Sequence, residues 1–101
     1  MSGGRGLKID KITVLKQGGG LLNYRTWLQE ARTSFVADPG RFDTVEKRII
    51  FAALNMDSDM RDLWAHAQTR QPQFIHHWKK FQRWAEKSHL HGKADVDKVL
   101  Q

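Results

Sequence analysis

Five histidines are the side chains of this sequence with the best chemistry for binding a metal ion. Helical zinc sites place two ligands one turn apart and add a carboxylate, as in His-Glu-x-x-His. His76 and His77 are adjacent, so on a helix their side chains diverge by about 100°, and His89 and His91 lie near a predicted helix end. No carboxylate completes a zinc motif around them. We therefore predict no metal site and no cofactor, with the histidines exposed or partly packed.

Residues suited to nucleophilic catalysis or phosphate binding also lack the motifs that these functions use. Ser34, Ser58 and Ser88 lie in predicted helical or capping positions and not in a Gly-x-Ser-x-Gly turn. The run Gly18–Gly20 is not followed by the Lys-Ser/Thr pair of a phosphate loop, which indicates a linker. Three acids lack calcium-loop spacing and fall at a predicted helix start, where the helix dipole favours negative charge: Asp57, Asp59 and Asp62. The sequence therefore predicts a protein that is not an enzyme.

Composition indicates one small intracellular domain. The chain has 101 residues, which suits a single compact unit, and its four Trp and five Phe can supply an efficient core. Because there is no cysteine, disulfides and thiolate zinc sites are excluded, and a cytoplasmic or nuclear location is favoured. The sequence shows no signal peptide and no run of roughly 20 apolar residues. We expect a soluble protein without a membrane span.

Positive charge is concentrated in two parts of the chain. Residues 1–32 carry six Lys or Arg against two acids, and residues 70–93 carry six against one, whereas residues 37–62 carry four against six. The second basic part includes four residues on one side of a predicted helix: Lys79, Lys80, Arg83 and Lys87. Such a surface suits RNA, an anionic membrane or an acidic protein, and the alternative is a solvated helix face. Trp84 lies among these residues, where it could stack on bases or anchor a protein contact, although a core position is the stronger expectation.

The first 20 residues are predicted to form a flexible or extended N-terminal arm. Glycines flank a β-branched segment, and its apolar residues are candidates for a contact between subunits: Ile9, Ile12, Val14 and Leu15. A lone strand is not stable without a pairing partner. We therefore expect this arm to be loosely attached or to form a small hairpin.

Apolar residues at helical spacing predict four main helices within residues 21–92. The first runs from about Tyr24 to Val36, with Asn23 as its N-cap and Leu22 packed on Trp27 as a hydrophobic staple. The break at residues 38–40 ends it, because the residue before proline disfavours helical geometry.

The next three helices follow from capping residues and breaks. Asp43 and Glu46 predict a capping box at the start of the second helix, whose apolar stripe is wide enough to need cover on more than one side. Asp57 predicts the cap of the third helix. The fourth is expected from about Gln73 to Lys87, and residues 93–101 are expected to be a tail or the start of a further helix. The predicted fold class is all-α, a small bundle of four main helices with an extended N-terminal arm.

The order of these landmarks resembles the amino-terminal lobe of the Gag capsid of gypsy-type LTR retrotransposons, or of a host protein derived from one. The matching motifs are an aromatic-x-x-Trp, a Phe-x-Thr-x-Glu-Lys, a segment rich in small residues, an x-Trp and a Trp-x-x-Phe. In this chain they are Tyr24–Trp27, Phe42–Lys47, Ile50–Leu54, Leu63–Trp64 and Trp78–Phe81. The resemblance covers about residues 22–90, most of the chain.

This resemblance implies a structural function. Capsid lobes of this kind assemble with copies of themselves, and in host-adopted relatives the equivalent lobe binds peptides in a hydrophobic groove. We therefore expect a non-enzymatic domain that forms homo-oligomers and helps to package RNA. The alternatives are a basic helical domain that binds nucleic acid and a peptide-binding adaptor.

Overall fold

The chain folds as a small all-α bundle, as predicted. The computed structural model describes the backbone of residues 11–100 and the side chains of residues 11–90. Its helices are α1 (Gly20–Ala37), α2 (Val45–Leu54), α3 (Ser58–Arg70) and α4 (Trp78–Leu100), with a 3-10 helix at Pro72–His76. Within the described residues there is no strand, and the single extended pairing is a parallel bridge between Leu15 and Met56.

Trp27 lies at the centre of the core. Its side chain is fully buried, its Nε1–H donates to the carbonyl oxygen of Ala52 at 3.1 Å, and its ring centroid is 6.0 Å from that of Phe81. Around it pack buried apolar residues from each helix, among them Ala31, Ile49, Met60, Leu63 and Ala85. Because the indole satisfies its only donor while its ring meets α2 and α4, one residue joins three helices.

A second aromatic cluster closes the end of the bundle where α1 stops and α2 begins. The ring of Phe35 lies 5.1 Å from Phe42 and 5.2 Å from Trp78, measured between centroids. The guanidinium carbon of Arg41 lies 4.9 Å from the Phe42 centroid, and that of Arg48 lies 5.9 Å from the Phe35 centroid. Cations over aromatic faces cover this cluster while their charge stays near water.

The start of α1 differs from the sequence prediction. The helix begins at Gly20, so Asn23 lies inside it and is not its N-cap. The Asn23 amide instead holds the arm, because its Oδ1 accepts from the Lys16 backbone N–H at 2.8 Å and its Nδ2 donates to the Val14 carbonyl at 2.9 Å. Leu22 is 78% exposed, so the predicted staple on Trp27 is also wrong. The Asn23 side chain, which local rules assign to capping, is therefore used in hydrogen bonds to the arm.

The arm is docked on the bundle over residues 12–18, and this described part is neither loose nor paired as a hairpin. The Leu15 N–H donates to the Asn55 carbonyl at 2.9 Å, and the Asp57 N–H donates to the Leu15 carbonyl at 3.0 Å. Leu15 itself is 0% exposed and belongs to the core. Gly18 has a positive φ of 76°, which suits glycine, and its N–H reaches the carbonyl of His89 at 2.7 Å.

The capping residue of α2 is Thr44, one position after the predicted cap. The Thr44 hydroxyl oxygen accepts from the Lys47 backbone N–H at 3.2 Å. Asp43 pairs instead with the Lys47 ammonium at 2.8 Å, and Glu46 pairs with His76. The predicted capping box is therefore wrong, since the position that should reach back is Lys47 and not Glu46.

The cap of α3 is the predicted one, and it has a second role. The Asp57 Oδ1 accepts from the Met60 N–H at 2.9 Å, which confirms the N-cap. Its Oδ2 accepts from the Gln17 N–H at 3.1 Å. One carboxylate therefore fixes the start of α3 and the end of the arm.

The last part of the fold departs from prediction at both ends. The segment after Pro72 forms the 3-10 helix, His77 is extended with φ of −136°, and α4 starts only at Trp78. Phe74, half-buried, stacks on Trp64 with ring centroids 6.4 Å apart, which anchors the 3-10 helix to α3. The backbone of α4 then continues through Gly92 to Leu100. Among the described residues, no helix combines the length and apolar character needed to cross a membrane.

Candidate interaction surfaces

The predicted basic surface lies on the outside of α4. Lys79, Lys80, Arg83 and Lys87 are all exposed. None of the four forms an ion pair with another described residue. Their charges are therefore directed to solvent, as both the binding and the solvated-face interpretations require.

Trp84 borders this surface but is mostly engaged inside the bundle. It is half-buried, and its ring centroid lies 5.0 Å from that of Trp64 and 5.9 Å from that of Phe81. These contacts favour the core interpretation of Trp84 over the exposed-contact interpretation.

The four candidate arm residues have different environments. Ile9 lies outside the described residues. Ile12 is half-buried and packs against the core, and its N–H donates to the Asn55 side-chain oxygen at 3.2 Å. Val14 is 41% exposed, whereas Leu15 is fully buried. Of the described candidates, Val14 is the one that presents a large part of its side chain for contact with another subunit.

A groove of about 490 Å³ runs along the outer side of α1, and the sequence analysis did not single it out. Its described lining includes half-buried Leu28, 81% exposed Val36, and the basic side chains Arg25 and Arg32. Arg25, Leu28, Arg32 and Val36 follow at i, i+3, i+7 and i+11, so the helical spacing was visible in the sequence. What the sequence could not show is how much of this row stays open: Leu28 packs against the core and Arg32 donates to Gln82 of α4 at 3.1 Å, whereas Val36 is exposed.

An apolar pair lies on the outer side of α2. Ile50 is 49% exposed and Leu54 is 66% exposed, and at i, i+4 they are neighbours on the helix surface. The width of this apolar stripe predicted that α2 would be covered on more than one side. Phe51 is covered by the aromatic cluster, but the side that holds Ile50 and Leu54 faces solvent within the described structure.

The described histidines do not gather into a metal site. No group of three or more His, Asp or Glu among the described residues could hold a metal ion. His76 instead joins the 3-10 helix to α2 through its ion pair with Glu46, and the hydrogen bond from His76 holds the pKa of that carboxyl below its ordinary value. This pair is a surface contact between two elements.

His89 is fully buried, which the sequence analysis did not anticipate. Its ring stacks on Tyr24 with centroids 4.9 Å apart, and its Nδ1 lies 3.3 Å from the Ala85 carbonyl oxygen. Its Nε2 has no hydrogen-bond partner among the described residues. Burial in the same place raises the pKa of the Tyr24 hydroxyl. The stacked pair joins α1 to α4 beside the end of the arm.

Three exposed surfaces of the described structure are therefore candidates for binding: a basic row on α4, a groove on α1 and an apolar pair on α2. Comparisons of the chain with protein-family models, with curated proteins and with solved structures find no significant match.

Proposed function

We propose that this protein is a non-enzymatic structural domain that associates with copies of itself, in the manner of the Gag capsid lobes that its motifs resemble. The observation that supports this most is the apolar pair Ile50 and Leu54, which α2 leaves exposed although it is the helix with the widest apolar stripe. Exposed apolar side chains that lie side by side are typical of contact surfaces between proteins.

Weak contacts are sufficient for such a function. A pair of aliphatic side chains contributes roughly 3–6 kcal/mol when it is fully buried, which is too little to hold two molecules together firmly after the entropy of association is lost. Repetition of one weak contact by symmetry stabilises an assembly without any strong pairwise interface. The α2 pair fits a reversible, concentration-dependent oligomer.

The arm enters this proposal in a restricted form. Since Leu15 belongs to the core, deletion of residues 1–20 would damage the fold and could not test an intersubunit role. Deletion of residues 1–10 leaves Ile12 and Leu15 in place and removes Ile9. If Ile9 contributes to assembly, this deletion lowers the average mass at a given concentration.

The proposal is tested by measuring mass with multi-angle light scattering over a concentration series. We expect the average mass to rise with concentration, and Leu54→Ser to shift the rise to higher concentration. Leu90→Ser is the matched control, because Leu90 is similarly exposed at 55% but lies on α4. A monomer at every concentration would refute the proposal, and equal effects of both variants would remove α2 as the contact.

A peptide-binding adaptor is the second candidate, and the groove on α1 is the observation that favours it. Arg25 and Arg32 flank apolar Leu28 and Val36, so the groove suits a peptide whose apolar residues alternate with carboxylates. Titration calorimetry with an amphipathic peptide bearing Glu, and with the same peptide bearing Lys, tests this. We expect heat of binding only with the Glu peptide, and equal behaviour of the two would exclude the groove as a charge-selective site.

A further inference from the structure

We propose that the basic row on α4, formed by Lys79, Lys80, Arg83 and Lys87, binds the phosphates of single-stranded nucleic acid without reading its bases. This inference is independent of self-association. The basic row lies on a different surface from the apolar pair on α2, and it would bind its ligand through charge and not through apolar contacts.

The four cations form one ridge. At about 100° per residue they fall within an arc of about 100° around α4, and from Lys79 to Lys87 the ridge extends about 12 Å along the helix axis. Lys80, Arg83 and Lys87 follow at i, i+3 and i+7, which places them in a single row. A linear array of cations matches a linear array of phosphates better than a single point charge does.

No described carboxylate forms an ion pair with this ridge. Glu86 is the single acid between residues 73 and 90. Burial, and after it the negative charge of Glu86, raises the pKa of the Tyr24 hydroxyl on α1, so Glu86 lies near that helix. Glu86 forms no ion pair with the basic row. The four positive charges therefore remain available to an external anion.

The contacts of Trp84 determine the kind of recognition. Its ring is half-buried and packs on Trp64 and Phe81, so much of its surface is used within the protein. A base that stacked on Trp84 would compete with these contacts. The row therefore offers phosphate contacts, which give affinity without sequence preference.

Nucleic acid fits this surface better than a membrane or a protein does. Between Lys79 and Lys87 the outer side of α4 holds charged residues and no large exposed apolar side chain; Leu90 comes only after the last cation. Amphipathic helices that lie in a membrane surface combine a basic face with an apolar face that enters the lipid, and protein interfaces depend on apolar or aromatic anchors.

The expected salt dependence follows from the number of cations. Each phosphate contact to a single strand contributes about −0.7 to the slope of log K against log salt, so four contacts give about −2.8. Between 50 and 200 mM salt, affinity should then fall by about 50-fold. Removal of three cations should bring the slope to about −0.7.

The test is fluorescence anisotropy with a labelled 12-nucleotide oligouridylate and with the corresponding DNA oligonucleotide, over a salt series. The triple variant Lys80→Gln, Arg83→Gln, Lys87→Gln is compared with a control of equal net charge, Arg25→Gln, Arg61→Gln, Arg70→Gln. The six residues are exposed, and circular dichroism checks that both variants stay helical. Anionic phospholipid vesicles are included as a competing source of phosphate.

We expect similar binding of RNA and DNA, a slope near the calculated value, and loss of binding in the α4 variant only. The inference is overturned if the wild-type protein does not bind at 50 mM salt, if both triple variants lose affinity equally, or if vesicles bind as tightly as the oligonucleotides. Light scattering of the α4 variant separates this result from the proposed function, because self-association through α2 should be unchanged.

Discussion

Leu15→Ala is the substitution that most directly tests how the arm is held. Leu15 is fully buried in the core, and its backbone N–H and carbonyl are both bonded to the segment between α2 and α3. Truncation removes three buried carbons while the backbone bridge keeps the site from collapsing fully. Buried Leu→Ala changes cost 2–5 kcal/mol, and we expect about 3 kcal/mol here.

Urea denaturation followed by tryptophan fluorescence measures this cost. With a slope of about 1.5 kcal/mol per molar urea for a domain of this size, the midpoint should fall by about 2 M. Because small domains are stable by only about 5–15 kcal/mol, the loss is a large fraction of the total. Protection of the Asp57 amide from hydrogen exchange should fall in parallel, since that amide donates to the Leu15 carbonyl.

Val14→Ala is the matched control, one residue earlier on the same arm. Val14 is 41% exposed, so its truncation should cost less than about 1 kcal/mol. If the two variants have the same midpoint, the arm is not part of the cooperative fold, and the docked arrangement is refuted.

Three further predictions concern single contacts. Trp27→Phe removes the indole donor to Ala52 and leaves a gap in the core, so the free energy of unfolding in urea should fall by about 2–4 kcal/mol; an unchanged midpoint would contradict the three-helix junction. Asp57→Ala removes two hydrogen bonds and should cost about 2 kcal/mol, against about half of that for Thr44→Ala, which removes one. His76→Ala should raise the pKa of Glu46 toward 4.5 in an NMR titration. Since the pKa of Glu46 is lowered in the fold, the stabilising effect of the pair is present above pH 4.5 and is lost as the pH falls through the lowered pKa. If Glu46 titrates identically in the wild-type protein and the variant, the pairing is refuted.

Helix existence could be predicted from the sequence, because it depends on local spacing. The rows of apolar residues that define α1, α2 and α3 were visible, and so was the cap at Asp57, which bonds to a residue only three positions away. The Thr44 cap was missed by one position because Asp43 and Thr44 are both good caps. In the fold, Asp43 pairs with the Lys47 ammonium and Thr44 accepts from the Lys47 N–H.

What could not be predicted depends on partners far away in the chain. From local sequence, Asn23 is a good N-cap, but in the fold its side-chain amide is hydrogen-bonded to the arm. No local pattern indicates that the Asn55 side chain accepts from the N–H of residue 12. The burial of His89 depends on Tyr24, 65 positions earlier. Among the candidate surfaces, the basic row was predictable because helical spacing alone defines it, whereas the groove on α1 depends on how the rest of the described fold packs beside that helix.

The docked arm also constrains the order in which the chain can fold during translation. Leu15 leaves the ribosome before its backbone partners Asn55 and Asp57 are made. The hydrogen bond from the Gly18 N–H can form only after His89, whose carbonyl accepts it, has been made. At about 5–20 residues per second, the 74 residues from Lys16 to His89 take about 4–15 seconds to be made. Throughout that interval the arm cannot complete its contacts with the bundle, so an apolar side chain that ends in the core remains accessible to nascent-chain binding factors.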